Sequence, residues 1–136
     1  MKRSPARLYT ALAGVFLLLQ GVSTLAFRLV PSLDEAFPML LGMTHMMPAH
    51  SILHILSGLL AIALLLWGDE RGVLLFALGF GAFYVALAVY GWLAPDPTML
   101  HLQPFDHPFH LVLGFIGLIA VWMTVQRSRR VARARS

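Results

Sequence analysis

The sequence predicts an all-α integral membrane protein: a four-helix bundle built from two repeated helical hairpins, with the N and C termini cytoplasmic. Three observations carry that prediction: the spacing of the charges, the side on which they fall, and a motif that occurs twice. Hydrophobic residues make up 59% and charged residues 12% of the 136-residue chain, the latter about half the share usual in a soluble domain. Ten basic and six acidic residues leave four uncharged runs, at 8–27, 36–68, 72–95 and 107–126. A helix rises about 1.5 Å per residue and needs roughly 20 apolar residues to cross a 30 Å hydrocarbon core. Each run is long enough. A single transmembrane domain follows, and soluble, disordered and nucleic-acid-binding classes are excluded.

The formal net charge is +4, and its placement gives the orientation. Lys2, Arg3 and Arg7 precede the first run, Arg71 separates the second from the third, and Arg127, Arg129, Arg130, Arg133 and Arg135 follow the fourth. Among basic residues only Arg28 falls in the opposite connections, beside Asp34, Glu35, Asp96 and Asp106. Positively charged loops stay in the cytoplasm, so the expected location is the plasma (inner) membrane, multi-pass, with both termini inside. The lipid bilayer is the expected partner, with the basic tail against anionic lipid and self-association or other membrane proteins beside it. There is no cysteine, which removes disulfides, thiolate metal sites and a cysteine nucleophile.

The four spans are expected at 8–30, 48–67, 73–94 and 107–126, followed by the basic tail 127–136. The first could be read as a signal peptide, with Lys2, Arg3 and Arg7 ahead of an apolar core. Its apolar stretch runs on through Phe27, Leu29 and Val30, however, and a retained helix is expected, with Tyr9 at the inner interface and Pro31 closing the outer end. Pro48 suits the first position of the second helix, where its missing N–H has no partner to lose. Residues 68–72 form a polar turn. The third helix is ended by Pro95-Asp96-Pro97, and the fourth opens on Asp106 as a cap with Pro108 behind it. Trp67 and Trp122 fall at the inner interface, Tyr90 and Trp92 at the outer one. Gly79, Gly81, Ala77, Ala82, Gly114 and Gly117 are small residues that let helices approach. The apolar connection 32–47 is expected to lie in the outer interface rather than to cross.

The repeated motif is His50-Ser-Ile-Leu-His54-Ile-Leu-Ser-Gly58 and Asp106-His-Pro-Phe-His110-Leu-Val-Leu-Gly114, an offset of 56. Leu29-Val-Pro31 and Leu93-Ala-Pro95 align at an offset of 64. Two hairpins that both start inside would be related by a pseudo-twofold along the membrane normal. Residues four apart share one helix face, so His50 pairs with His54, and Asp106 with His110. Packed together, they would form a His3Asp cluster, and these four residues are the candidate metal site.

Ionisable residues inside a span are costly and therefore functional candidates. Several readings stand side by side. The histidines can be helix-to-helix hydrogen-bonding groups with no cofactor at all. They can instead hold zinc or another divalent ion, pass a proton, or ligate haem b through His54 and His110. Met39, Met43, His45, Met46 and Met47 offer soft ligands suited to copper as Cu(I), or else simply fill an irregular apolar interface. His101 and His107 are expected to be exposed loop residues. No nucleophile elbow, phosphate-binding glycine loop or paired acids at depth is present, and no enzymatic activity is expected.

The His-x-x-x-His-x-x-x-Gly opening of the second helix, the Asp-x-x-x-His-x-x-x-Gly opening of the fourth and the four-span layout together resemble a bacterial family. Its members are small four-helix membrane proteins classed as a domain of unknown function. Related helix openings there also carry asparagines that this chain lacks. The resemblance covers about residues 8–125; it implies the fold and the membrane location and supplies no activity. The expected role is a structural or accessory subunit of a membrane complex. The alternative is a metal- or haem-binding protein with a redox or ion-handling role through its outer-face histidines.

Overall fold

A computed structural model describes residues 4–36, 47–94, 102 and 104–135 of the chain. Among them are five helices: α1 (Pro5–Leu29), α2 (Pro31–Ala36), α3 (Pro48–Trp67), α4 (Glu70–Leu93) and α5 (Asp106–Arg133). Four of these, α1, α3, α4 and α5, are each long and apolar enough to cross a membrane. The chain is thus a four-helix, multi-pass membrane protein.

Local chemistry explains the ends. Ser4 caps α1 by accepting a hydrogen bond from the Arg7 backbone N–H (3.1 Å), with Pro5 in the first turn. That is one turn earlier than apolarity alone places the span, because the cap lies outside the apolar run. Helix α3 has the expected bounds, with Pro48 opening it and Gly68 ending it. Asp69 caps α4 through the Gly72 N–H (2.7 Å), so the polar turn is shorter than expected and Glu70 is already helical. Helix α5 differs at both ends. Its N-cap is Phe105 rather than Asp106, which stands in the first turn. Its C-terminus reaches Arg133 because the tail is rich in alanine and arginine, which are good helix formers. The limit near 126 is where hydropathy stops, not where the helix does.

The bundle is inside-out relative to a soluble protein. Large apolar side chains such as Leu12, Leu60, Ile119 and Trp122 are exposed, while the buried set includes Ala6, Thr10, Ala61, Ala77, Ala88 and Thr124. In lipid, apolar side chains gain nothing by leaving their surroundings, so small residues that let backbones touch hold the helices together. Helix α1 packs chiefly on α3, and α4 on α5. At the first contact, a Cβ on Gly58 would lie 2.8 Å from the Gly14 carbonyl oxygen and 2.8 Å from the Leu18 nitrogen. At the second, a Cβ on Gly114 would lie 2.7 Å from the Gly81 carbonyl oxygen and 2.8 Å from the Val85 nitrogen.

The two hairpins therefore share one contact geometry, and it sets the register of the repeat. Gly58 and Gly114 keep the offset of 56, but their partners Gly14 and Gly81 are 67 apart, not 64. The prolines that suggested 64 mark where helices stop, which need not coincide with where they touch. Gly79 and Ala82 are not contact residues: Gly79 faces open space and Ala82 is exposed. Tyr9 is buried inside the bundle. Its ring lies against Gly117, and its hydroxyl donates to the Leu113 carbonyl (3.1 Å), tying α1 to α5. The Ala6 N–H, which the helix start leaves without an intrahelical partner, is satisfied by the Thr124 hydroxyl at 2.9 Å.

Candidate metal centre

The histidines extend the same seam that the glycines begin. On α3 the buried stripe is His50, Ser51, His54, Gly58 and Ala61; on α5 it is His107, His110, Gly114, Gly117, Ala120 and Thr124. Below the motif, glycine and alanine let backbones touch. Above it, the helices carry imidazoles that fill the space between them.

Helix α1 sets the position of the α3 opening. A Cβ on Gly21 would lie 2.6 Å from the Ser51 carbonyl oxygen and 2.9 Å from the Ile55 nitrogen, so α1 lies directly on the histidine-bearing turn. The Thr24 and Ser51 hydroxyls share a hydrogen bond of 2.8 Å, and Thr24 also donates to the Gln20 carbonyl (2.8 Å). This interhelical bond and the close backbone contact fix the rotation of α3, and with it the direction of His50 and His54.

The three motif histidines converge. One ligand nitrogen from each of His50, His54 and His110 lies within 4.8 Å of the others, and each residue is about 1% exposed. The His50 ring stands edge-on to His54, centroids 4.6 Å apart, and 6.1 Å from His110. Helix α4 adds Tyr84, whose hydroxyl lies 3.2 Å from His54 Nε2 and whose ring sits edge-on to His110 at 4.8 Å. The Nδ1 atoms of His54 and His110 are buried with no hydrogen-bond partner among the described residues. Such a buried polar atom costs about 1–3 kcal/mol if left unsatisfied.

Asp106 stands outside this group. It lies in the first turn of α5 and is partly exposed, so the cluster of the described residues is three imidazoles rather than His3Asp. His107 is not an exposed loop residue. It is in the first turn of α5, 9% exposed, seated against Gly91 with the Trp92 ring 6.2 Å away. Only a glycine at 91 leaves room for that ring. Met39, Met43, His45, Met46 and His101 lie outside the described residues; Met47 is the N-cap of α3.

Tyr84 is the residue that sequence reasoning missed. Its signal was present: a phenol in the middle of an otherwise apolar span needs a polar partner somewhere in the bundle. Thr24 and Ser51 carry a weaker version of the same signal.

Chemically, three neutral imidazoles suit zinc, copper, iron or nickel and do not suit calcium or magnesium, which prefer oxygen. Around a tetrahedral zinc, Zn–N distances of about 2.0–2.1 Å place ligand nitrogens about 3.4 Å apart. Closing the group onto one ion therefore requires side-chain movements of up to about 1.4 Å from the 4.8 Å limit.

A family model described as Domain of unknown function (DUF4383) matches residues 7–123, a stretch that includes every residue of the centre. No curated protein and no solved structure matches the chain.

Proposed function

The chain belongs to the DUF4383 family, a domain of unknown function, and from its geometry we propose a membrane protein that binds one transition-metal ion, zinc by chemical preference, at His50, His54 and His110. The observation that carries this reading is the convergence of three buried imidazoles within 4.8 Å. Ionisable groups at membrane depth are expensive to place, and two of the three rings present a buried nitrogen with no hydrogen-bond partner among the described residues. An ion would satisfy both. His50 packs against the other two rings and takes up space that a porphyrin plane between His54 and His110 would need, so a single small ion is favoured over haem b. The role is ion handling without catalysis, in a plasma membrane with both termini cytoplasmic; the bias of the arginines supports that orientation.

The second reading is favoured by the Tyr84–His54 hydrogen bond. In it the histidines only lock helix packing, and the protein is a structural or accessory subunit of a membrane complex. Elemental analysis of protein purified in detergent with added zinc separates the two. Metal binding predicts about one zinc per chain, lost in His54→Ala and His110→Ala variants that keep their helical content. Sub-stoichiometric metal in folded wild-type protein leaves the packing role, and a Soret band would revive haem.

A further inference from the structure

The arginine-bearing end of the bundle carries a cavity. Because α5 continues to Arg133, the face bearing Thr124, Arg127, Ser128 and Val131 projects beyond the span toward the start of α1 and the α3–α4 turn. These elements enclose an open cavity of about 840 Å³, lined by Arg7, Arg127 and Arg135 among others. Its two acidic residues are already engaged. Asp69 accepts from the Gly72 N–H (2.7 Å), and Glu70 lies 3.7 Å from Arg7. Arg127 and Arg135 are exposed and make no ion pair among the described residues.

A second hollow, of about 620 Å³, lies beside this one, with Ser4 lining both. It is an apolar groove between α1 and α5, walled by Leu8, Leu12, Ile116 and Ile119. Buried Ala13 and Ala120 make it deep. At its far end Phe16 meets Phe109, ring centroids 5.4 Å apart. Along α1 the groove runs from Ser4 to Phe16, about 18 Å, and along α5 from Met123 back to Phe109 in the first turn, about 21 Å. Its walls are apolar and basic side chains stand at the end where α5 leaves the span, an arrangement that matches an amphiphile with an anionic head better than an apolar transmembrane helix.

We propose that the two hollows together bind one anionic phospholipid of the inner leaflet. Its phosphate would sit at Arg127 and Arg135, and an acyl chain would lie along the α1–α5 groove. Guanidinium groups pair well with phosphate oxygens.

The test is native mass spectrometry of the full chain in detergent with defined lipids, comparing phosphatidylglycerol with phosphatidylcholine of the same chains. Wild-type protein should retain one phosphatidylglycerol in clear preference. An R127Q/R135Q variant should bind it about thirtyfold more weakly, since each basic residue near an anionic headgroup contributes about 1 kcal/mol and tenfold corresponds to 1.4 kcal/mol. An R129Q/R133Q variant loses the same charge at positions that line neither hollow and should stay within about twofold. Equal losses in the two variants, or equal retention of the two lipids, would overturn the proposal. So would displacement by millimolar inorganic phosphate, which would mark a free-anion site. A dimer that crosslinks through Leu12→Cys and excludes lipid would show that a second copy occupies the groove instead.

Discussion

The Tyr84 hydroxyl and His54 Nε2 lie 3.2 Å apart across the α3–α4 interface, a side-chain hydrogen bond that joins the histidine cluster to α4. Were a metal held at Nδ1, His54 Nε2 would carry the proton and donate to the Tyr84 oxygen. Tyr84 would then hold the ligand ring in place from behind. Such outer partners are worth about 10–100-fold in metal affinity. Tyr84→Phe preserves the ring packing on Phe80 (4.2 Å) and His110 (4.8 Å) and removes only the oxygen. Zinc affinity, measured by competition with a chromophoric chelator, should fall by that factor. Folding stability should fall by only about 0.6 kcal/mol, up to about 1.7. Unchanged zinc affinity would remove Tyr84 from the centre.

Metal binding should depend on pH with a fixed sign. Only neutral imidazole ligates, so acid competes with the ion for the ring nitrogens. Zinc should be lost once the solution is acid enough to protonate them. His50→Ala removes one ligand and should weaken binding at every pH. Zinc retention measured down an acid titration checks both, and zinc held undiminished in strong acid would place the ion on groups other than these histidines.

The shared helix contact predicts a paired response to mutation. At Gly58 and at Gly114 an added Cβ would meet backbone atoms at 2.7–2.8 Å, and backbone cannot swing aside as a side chain can. Gly58→Ala and Gly114→Ala should each cost about 1–3 kcal/mol by overpacking. Gly79 has nothing within 4 Å, and Gly79→Ala should be neutral or stabilising by up to about 1 kcal/mol through helix propensity. Unfolding in a mixed-micelle SDS titration measures all three. Losses confined to one hairpin would break the equivalence of the two contacts.

The parts of this fold legible in the sequence were those set by solvent. Uncharged runs locate α1, α3, α4 and α5 because a bilayer excludes charge, and Pro48 with Gly68 gives α3 its bounds. What hydropathy cannot see is decided by neighbours. The extension of α5 through Arg133 depends on helix-forming residues in water, and the 67-residue register of Gly14 and Gly81 depends on contact rather than on helix ends. At the centre, four-residue spacing was enough to bring His50 beside His54, and the repeat brought His110 to them. Asp106 shares that spacing yet stays in the first turn of α5, partly exposed. Tyr84 escaped because its partner lies 30 residues away, on another helix.

Orientation rests on charge and can be read directly in intact cells. Ser32, in α2 beyond the C-terminal end of α1, and Ser128, in the C-terminal part of α5, are both exposed. The Ser32 hydroxyl has no capping role in the described structure, and the Ser128 hydroxyl makes only a 3.1 Å bond to the Thr124 carbonyl of its own helix. Cysteine at either position should therefore leave the bundle intact, and the chain has no native cysteine to confuse the readout. An impermeant maleimide should label Ser32→Cys in whole cells and reach Ser128→Cys only after the membrane is opened. The reverse pattern would put the arginines outside. It would also move the proposed lipid to the outer leaflet and turn the histidine centre toward the cytoplasm.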